Sequence, residues 1–197
     1  KNWKAMLKDP IFYVMILMLS CGAFSGLMVI SQASLVAQRM IGMSVVAATT
    51  AVSVLALHNT AGRILAGYIS DKIGAGNTII GIFALSAVGL SLLYFSKTGD
   101  MALFYVGVSI VGLCFGSIMG VFPGLTALQF GAKNNSVNYG IMFIGFAAAG
   151  LFGPMIMSGI YEKSGIYQNA FMVAIFLSAA GILLTLLYKK MFSTSKQ

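Results

Sequence analysis

Six long apolar stretches, separated by short polar breaks, constrain the fold of this chain more than any other feature. Each is near or above the roughly 20 residues that one membrane-spanning helix requires, and they cover about residues 11–38, 44–69, 77–96, 101–130, 137–161 and 168–188. Charged residues make up 8% of the 197 residues, whereas a soluble domain carries roughly 25%. This shortage excludes a soluble globular protein, and the apolar content of 59% excludes intrinsic disorder. The sequence therefore predicts an all-α membrane protein with six transmembrane helices.

The polar breaks are too short to separate two domains. We predict a single six-helix bundle over residues 1–197, in which the short connections make neighbouring helices antiparallel. Lysine and arginine set its orientation, because they accumulate in cytoplasmic loops. One side of the membrane receives eight basic residues, and the other receives three. The eight are Lys1, Lys4, Lys8, Lys72, Lys133, Lys189, Lys190 and Lys196, and the three are Arg39, Lys97 and Lys163. Both termini are therefore predicted on the cytoplasmic side of the cell membrane.

The net charge of +8 has the same explanation. In a soluble protein it would suggest a nucleic-acid partner, but here basic residues mark loops, so no nucleic acid is expected.

Cys21 and Cys114 lie inside apolar stretches, far from a second thiol, and are interpreted as small core residues. The sequence predicts no metal or other cofactor. No paired acids, histidine cluster or serine–histidine pair at matching depth supports an enzyme.

One basic residue, Arg63, lies inside a predicted span rather than at its end. It precedes Asp71, at the predicted cytoplasmic break, by eight residues. Eight residues of helix rise about 12 Å in a hydrocarbon core about 30 Å thick, so Arg63 is predicted near the membrane midplane. A charge there costs at least about 2.5–3.5 kcal/mol, and all four acidic residues lie at span ends. The alternatives are a site for an anion from outside the chain and a structural arginine that caps backbone carbonyls.

An octapeptide, Gly67-Tyr68-Ile69-Ser70-Asp71-Lys72-Ile73-Gly74, joins the second and third spans. It resembles the gating loop motif of the major facilitator superfamily, in which an acid–base pair stands between two glycines. We expect Gly67 to permit close approach of a neighbouring helix and Gly74 to form the tight turn. Asp71, followed by Lys72, is expected to accept from backbone N–H groups and to pair with a basic residue. The alternative is an ordinary polar hairpin.

Several spaced motifs narrow the resemblance. They are Met6-Leu7-Lys8-Asp9-Pro10, Gly26-Leu27-Met28-Val29-Ile30, Asn59-Thr60-Ala61-Gly62-Arg63, Phe115-Gly116, Phe122-Pro123, Asn138-Tyr139-Gly140, Ala149-Gly150 and Gly153-Pro154. Together they resemble the second half of oxalate:formate antiporter-like carriers, which include monocarboxylate transporters. The resemblance implies a fold of twelve spans in two similar halves, of which this chain is the C-terminal half. The other half, the lipid bilayer and a small organic anion are then the expected partners.

The resemblance also implies roles for individual residues. Arg63 matches the basic residue that holds a substrate carboxylate in these antiporters. Phe146 stands where the dicarboxylate antiporter has a second cation, a lysine, and this departure favours monoanions over oxalate. Asn59 lies one turn before Arg63 on the same face. For Asn59 and for Gln32, substrate contact and interhelical hydrogen bonding both stay open.

Aromatic and sulfur-containing side chains recur at helical spacing in the fourth and fifth spans. Phe115 and Met119 share one face of the fourth span, and Tyr139 and Phe146 share one face of the fifth. They are candidates to wall the anion cavity, with plain helix packing as the alternative. His58, the only histidine, lies about 140° around the helix from Arg63, so packing is favoured over proton coupling.

The resemblance implies a secondary active transporter that moves small organic anions by alternating access and is not an enzyme. Monocarboxylates such as pyruvate, lactate or formate are favoured over oxalate. The alternative is a non-transporting six-span protein with a structural, self-associating or anion-sensing role. It would associate through the glycine ridge, which we define as Gly112, Gly116 and Gly120, spaced for close helix contact.

Overall fold

The computed structural model describes residues 1–194, and this part of the chain is helical, without strands. The α-helices are α1 (Trp3–Leu7), α2 (Pro10–Arg39), α3 (Val45–Ile73), α4 (Ala75–Phe95), α5 (Met101–Phe130), α6 (Asn135–Met142), α7 (Ile144–Ser164) and α8 (Gln168–Thr194). Six segments are long and apolar enough to span a membrane: α2, α3, α4, α5, the α6–α7 pair and α8. The predicted fold class is confirmed. Lys196, which entered the orientation argument, lies outside the described residues.

Local sequence explains most helix ends. Asp9 caps α2 by accepting a hydrogen bond from the Ile11 backbone N–H at 2.9 Å, and Pro10 follows at the first helical position. Ser44 caps α3 in the same way through Ala47. Gly74 and Gly131 terminate α3 and α5 with φ of 84° and 93°, a backbone region that glycine enters without steric cost.

The second, fifth and sixth predicted spans differ from the observed helices, and the sixth, predicted to end at residue 188, continues to Thr194 in α8. The second span was expected to end at residue 69, but α3 continues to Ile73, and Gly74 alone separates it from α4. A fall in hydropathy marks the edge of the hydrocarbon layer, and a helix with satisfied backbone bonds continues past that edge. The fifth span, expected as one helix over 137–161, runs from Asn135 to Ser164 and is interrupted at Phe143. The Phe143 N–H still bonds to the Tyr139 carbonyl at 2.8 Å, so the interruption is short.

The closest packing in the bundle joins α3 and α5 along the glycine ridge. A Cβ added at Gly112 would lie 2.6 Å from the Leu55 carbonyl oxygen, and one at Gly120 would lie 2.5 Å from that of Arg63. A Cβ at Gly116 would overlap the Asn59 carbonyl. The predicted close contact is confirmed, because each glycine of the ridge faces one backbone carbonyl of α3. Ser117 adds an interhelical hydrogen bond to the Gly62 carbonyl at 3.2 Å.

The polar connections gather at two opposite ends of the bundle. At the end that holds residue 1, Lys1 pairs with Asp9 at 2.5 Å, and Lys189 of α8 donates to Asn77 of α4 at 2.6 Å. At the other end, which we call the far end, Arg39 and Lys97 line one cleft with residues of the α7–α8 connection. The grouping places neighbouring helices antiparallel.

Candidate functional site

Arg63 lies well inside α3 with its backbone against Gly120 and its side chain exposed on the bundle surface. The Arg63 Nε donates to Asn59 Oδ1 one turn earlier, at 3.4 Å, so Asn59 orients the guanidinium by a long hydrogen bond. Among residues 1–194 no carboxylate forms an ion pair with Arg63. Its remaining donors are therefore available to a group from outside this part of the chain.

Four aromatic side chains form a connected row beside this region. The ring centroids of Tyr139 and Phe143 lie 5.6 Å apart, those of Phe143 and Phe146 4.3 Å, and those of Phe146 and Phe115 6.1 Å. The positive charge of Arg63 acts on the Tyr139 phenol, so the row begins within electrostatic reach of the guanidinium. We call Tyr139, Phe143, Phe146 and Phe115 the aromatic row.

The inner end of the aromatic row belongs to the hydrophobic core. Phe115 is 6% exposed and Met119 is 8% exposed. Phe115 packs against Gly26 of α2, where an added Cβ would lie 3.0 Å from the Phe115 Cγ. Phe115 therefore packs against α2 and contacts Phe146, which is only half-buried, while Met119 belongs to the same hydrophobic core.

Gln32 lies in a different place from Arg63. It lines a cleft between α2 and α7 together with Arg39, Tyr161 and Glu162, and Arg63 is not part of that cleft. The structure thus joins Arg63 to Asn59, places the Tyr139 end of the aromatic row within range of the Arg63 charge, and leaves Gln32 nearer the far end. Hydropathy predicts that Gln32 lies deep in a helix. It carries no information on which neighbouring helices the Gln32 side chain faces.

The predicted loop motif is mostly helical. Gly67, Asp71 and Lys72 lie in the last turns of α3, and only Gly74 forms the turn, with φ of 84°. Within the described chain no atom comes within 4 Å of a Cβ placed at Gly67, so the expected close approach does not occur inside this bundle. Asp71 forms no ion pair with any described residue, against expectation. Lys72 instead lies over the Tyr68 ring, 4.9 Å from its centroid.

The remaining polar candidates lie apart from Arg63. His58 is half-buried, its Nδ1 lies 2.8 Å from the Val54 carbonyl oxygen, and it lines a cleft with Tyr105 and Ser109 of α5. This position agrees with helix packing. Cys21 and Cys114 are free thiols. No cluster of three potential metal ligands occurs in residues 1–194.

One buried polar residue, Asn138, received no role from sequence reasoning beyond its place in a motif. It is fully buried in α6 and donates from Nδ2 to the Lys1 carbonyl at 3.0 Å. Asn134 donates to the same carbonyl at 3.3 Å. These bonds fix the segment before α2 against the corner between α5 and α6. The sequence signal that could have revealed this role is an asparagine within an otherwise apolar span.

Comparison with known proteins identifies relatives. The sequence profile of the Major Facilitator Superfamily matches residues 1–142 and 41–196. An uncharacterized MFS-type transporter of Escherichia coli (strain K12), YhjX, is 33% identical over 140 residues, which are 71% of this chain and 35% of that protein. The oxalate:formate antiporter of Oxalobacter formigenes is 30% identical over 173 residues, 87% of this chain and 41% of that protein.

A third relative and a solved structure extend the comparison. The sialic acid transporter NanX of Escherichia coli (strain K12) is 26% identical over 145 residues, 73% of this chain and 35% of its own length. The crystal structure of an auto-inhibited POT family peptide transporter superposes with a TM-score of 0.80 at 16% identity, over 92% of this chain and 37% of that one. That likeness shows the fold alone. The chain spans less than half the length of each of these proteins.

Proposed function

The chain belongs to the major facilitator superfamily, and we propose that it supplies the second six-helix half of a secondary transporter of small organic anions. The substrate site lies between this half and its partner half, and it opens to one side of the membrane and then to the other as the halves rock. No covalent bond changes in such a cycle, so the protein is not an enzyme and needs no cofactor.

The exposed guanidinium of Arg63 is the observation that carries this proposal. A cation inside a span is costly unless an anion accompanies it, and no described acid pairs with Arg63. A substrate carboxylate supplies that anion, because the guanidinium fork offers two parallel N–H donors to its two oxygens. Asn59 limits the rotation of the guanidinium through its 3.4 Å hydrogen bond and so reduces the ordering cost of binding.

The aromatic row favours substrates with a single negative charge. With the partner half in place, its apolar faces would limit water around a bound substrate, which strengthens the attraction for one carboxylate and penalises a second, unpaired one. Phe146 lies in this row between Phe143 and Phe115 and offers no charge. A penalty of several kcal/mol for an uncompensated ion corresponds to at least about a tenfold preference, since each 1.4 kcal/mol is a factor of ten. Monocarboxylates such as formate, lactate or pyruvate are the proposed substrates, ahead of oxalate.

The proposed orientation in the cell membrane rests on charge. Lys1, Lys133 and Lys189 belong to the end of the bundle that holds residue 1, and Arg39 and Lys97 to the far end. Because basic residues are retained on the cytoplasmic side, the far end faces outward and both termini face the cytoplasm.

Substitution of Arg63 in the full-length carrier tests the proposal. Arg63→Gln removes the charge, and Arg63→Lys keeps it but loses the planar fork. Removing one partner of a desolvated charge pair costs about 2–5 kcal/mol, so Arg63→Gln should lower carboxylate affinity by at least about thirtyfold. Arg63→Lys should lose affinity to a smaller but clear extent. Uptake of labelled formate and lactate into proteoliposomes measures both.

Lys133→Gln is the matched control, because it removes one basic residue from an exposed position outside the site. Its uptake should equal that of the unmodified carrier. Normal uptake by a folded Arg63→Gln protein would show that the arginine is structural. Saturable binding of carboxylate without translocation would support the anion-sensing alternative instead.

A further inference from the structure

Arg39, the last residue of α2, lies between two clefts at the far end of the bundle. One is the Gln32 cleft described above. The other, which we call the outer cleft, has a volume of about 290 Å³, room for several water molecules at about 30 Å³ each. Its lining includes Arg39, Lys97, Tyr161, Tyr167 and Gln168, from three separate stretches of the chain.

The guanidinium of Arg39 is held by an aromatic face rather than by an acid. It lies 5.4 Å from the centroid of the Tyr161 ring, and Tyr161 in turn stacks on Tyr167 at 4.2 Å. A cation–π contact restrains the position of a guanidinium but does not use its N–H donors, which lie in the plane of the guanidinium. In the part of the chain that the structure describes, Arg39 forms no ion pair.

Hydrogen bonds between distant segments fix the walls of the outer cleft. The Thr98 hydroxyl donates to the Met40 carbonyl at 3.1 Å, and the Gly99 N–H donates to the Ile41 carbonyl at 3.0 Å. Gln168, at the start of α8, reaches the Met40 sulfur at 3.7 Å. The α2–α3 connection, the α4–α5 connection and α8 are thereby tied together, so the cleft is preformed and binding there orders few groups.

The charge of the outer cleft selects the ligand class. Two cations, Arg39 and Lys97, line it, and its described lining contains no acid. Two acids lie nearby but outside this lining: Glu162 lines the Gln32 cleft, and the Asp100 carboxylate accepts a hydrogen bond from the Lys97 backbone N–H at 2.9 Å. An anion in the outer cleft therefore meets two cations and no lining carboxylate, whereas an anion in the Gln32 cleft meets Glu162 beside Arg39. The stacked rings of Tyr161 and Tyr167 add a flat, partly apolar surface to the lining. Such a surface suits a small planar carboxylate better than a hydrated spherical ion.

We propose that the outer cleft is a second anion site, which binds the same class of small carboxylate as Arg63 at the mouth of the carrier. The proposal rests on the proposed transport function for the identity of the ligand. Arg39 and Tyr161 line both the outer cleft and the Gln32 cleft. Gln32 precedes Arg39 by seven residues, about 10 Å deeper along α2.

A tryptophan reporter in the full-length carrier tests the outer cleft directly. Tyr161→Trp keeps an aromatic face under Arg39 and adds a fluorophore at the cleft, and the unmodified carrier supplies the background signal. Formate and oxalate are titrated at constant ionic strength with chloride as the balancing anion. We expect a saturable fluorescence change, with the apparent Kd raised at least about tenfold by Arg39→Gln.

Two further variants isolate the cause of the signal. Lys163→Gln removes a cation at the same end that lines neither cleft, so it should leave the apparent Kd within about twofold, a change well below 1.4 kcal/mol. Arg63→Gln should leave the signal intact, because Arg63 lines neither cleft. Absence of a saturable, Arg39-dependent signal overturns the outer site whatever the transport assays show. A signal in a carrier whose Arg63→Gln variant transports normally keeps the outer site and overturns the central one.

Discussion

Replacing Gly116 by alanine probes the contact that supports Arg63. A Cβ at this position would overlap the Asn59 carbonyl oxygen and lie 2.8 Å from Asn59 Oδ1. The obstacle is helix backbone, which cannot rotate away as a flexible side chain can. We therefore expect α3 and α5 to separate at this level, or the variant to unfold more readily.

A matched alanine substitution, Gly81→Ala, isolates the free energy cost of overpacking at Gly116. Gly81 lies inside α4 and has no atom within 4 Å of an added Cβ in the described chain. Both substitutions gain the same helix propensity, about 0.8–1 kcal/mol, so this gain cancels when the two variants are compared. The remaining difference is the overpacking cost, about 1–3 kcal/mol for an extra methylene in a packed core. Because the neighbour is backbone, we expect the upper part of that range.

Reversible unfolding in mixed micelles measures the free energy difference between the two variants. Gly81→Ala should be as stable as the unmodified carrier or more stable, and Gly116→Ala should be less stable than either. Displacement of Asn59 should also raise the KM for carboxylate uptake by Gly116→Ala. If the two variants have the same free energy of unfolding, the α3–α5 contact does not stabilise the bundle as argued.

The remaining predictions concern topology and charge selectivity. Single cysteines at Ser70 and at Lys97, in a carrier without its native cysteines, should react with an impermeant thiol reagent from opposite sides of the membrane; labelling of both from one side contradicts the six-span topology. Phe146→Lys, if the lysine stays charged, should narrow or reverse the preference for monoanions over oxalate in competition assays. Equal displacement by oxalate and formate in the unmodified carrier would refute the one-cation argument.

Hydropathy was sufficient to predict the fold class, because each span must cover the hydrocarbon thickness with apolar residues. It could not predict where helices end beyond the hydrocarbon. The continuation of α3 to Ile73 and the interruption at Phe143 depend on backbone hydrogen bonds that no apolar run records. The glycine ridge was predictable because residues four apart share a helix face.

The candidate site was predictable to a smaller extent. The exposed Arg63 and its hydrogen bond to Asn59 follow from position and helical spacing on one element. The separation of Gln32 from Arg63 depends on how α2 rotates about its axis relative to α7. The outer cleft depends on three stretches of the chain that meet only in the folded bundle. From the sequence alone, Arg39 is therefore indistinguishable from an ordinary loop cation, although its guanidinium lies over the ring of Tyr161, which stacks on Tyr167.

The glycine ridge and the exposed arginine depend on each other. The three glycines face the backbone carbonyls of Leu55, Asn59 and Arg63, at the same four-residue interval on both helices. Because the ridge offers no side chains, the backbone of α3 lies directly against α5 at these levels, with Asn59 Oδ1 beside Gly116, and the Arg63 side chain stays exposed. Larger residues on the ridge would separate the helices and remove the rigid support behind Arg63. Thus the ridge both stabilises the bundle and fixes the position of the charge that we propose binds substrate.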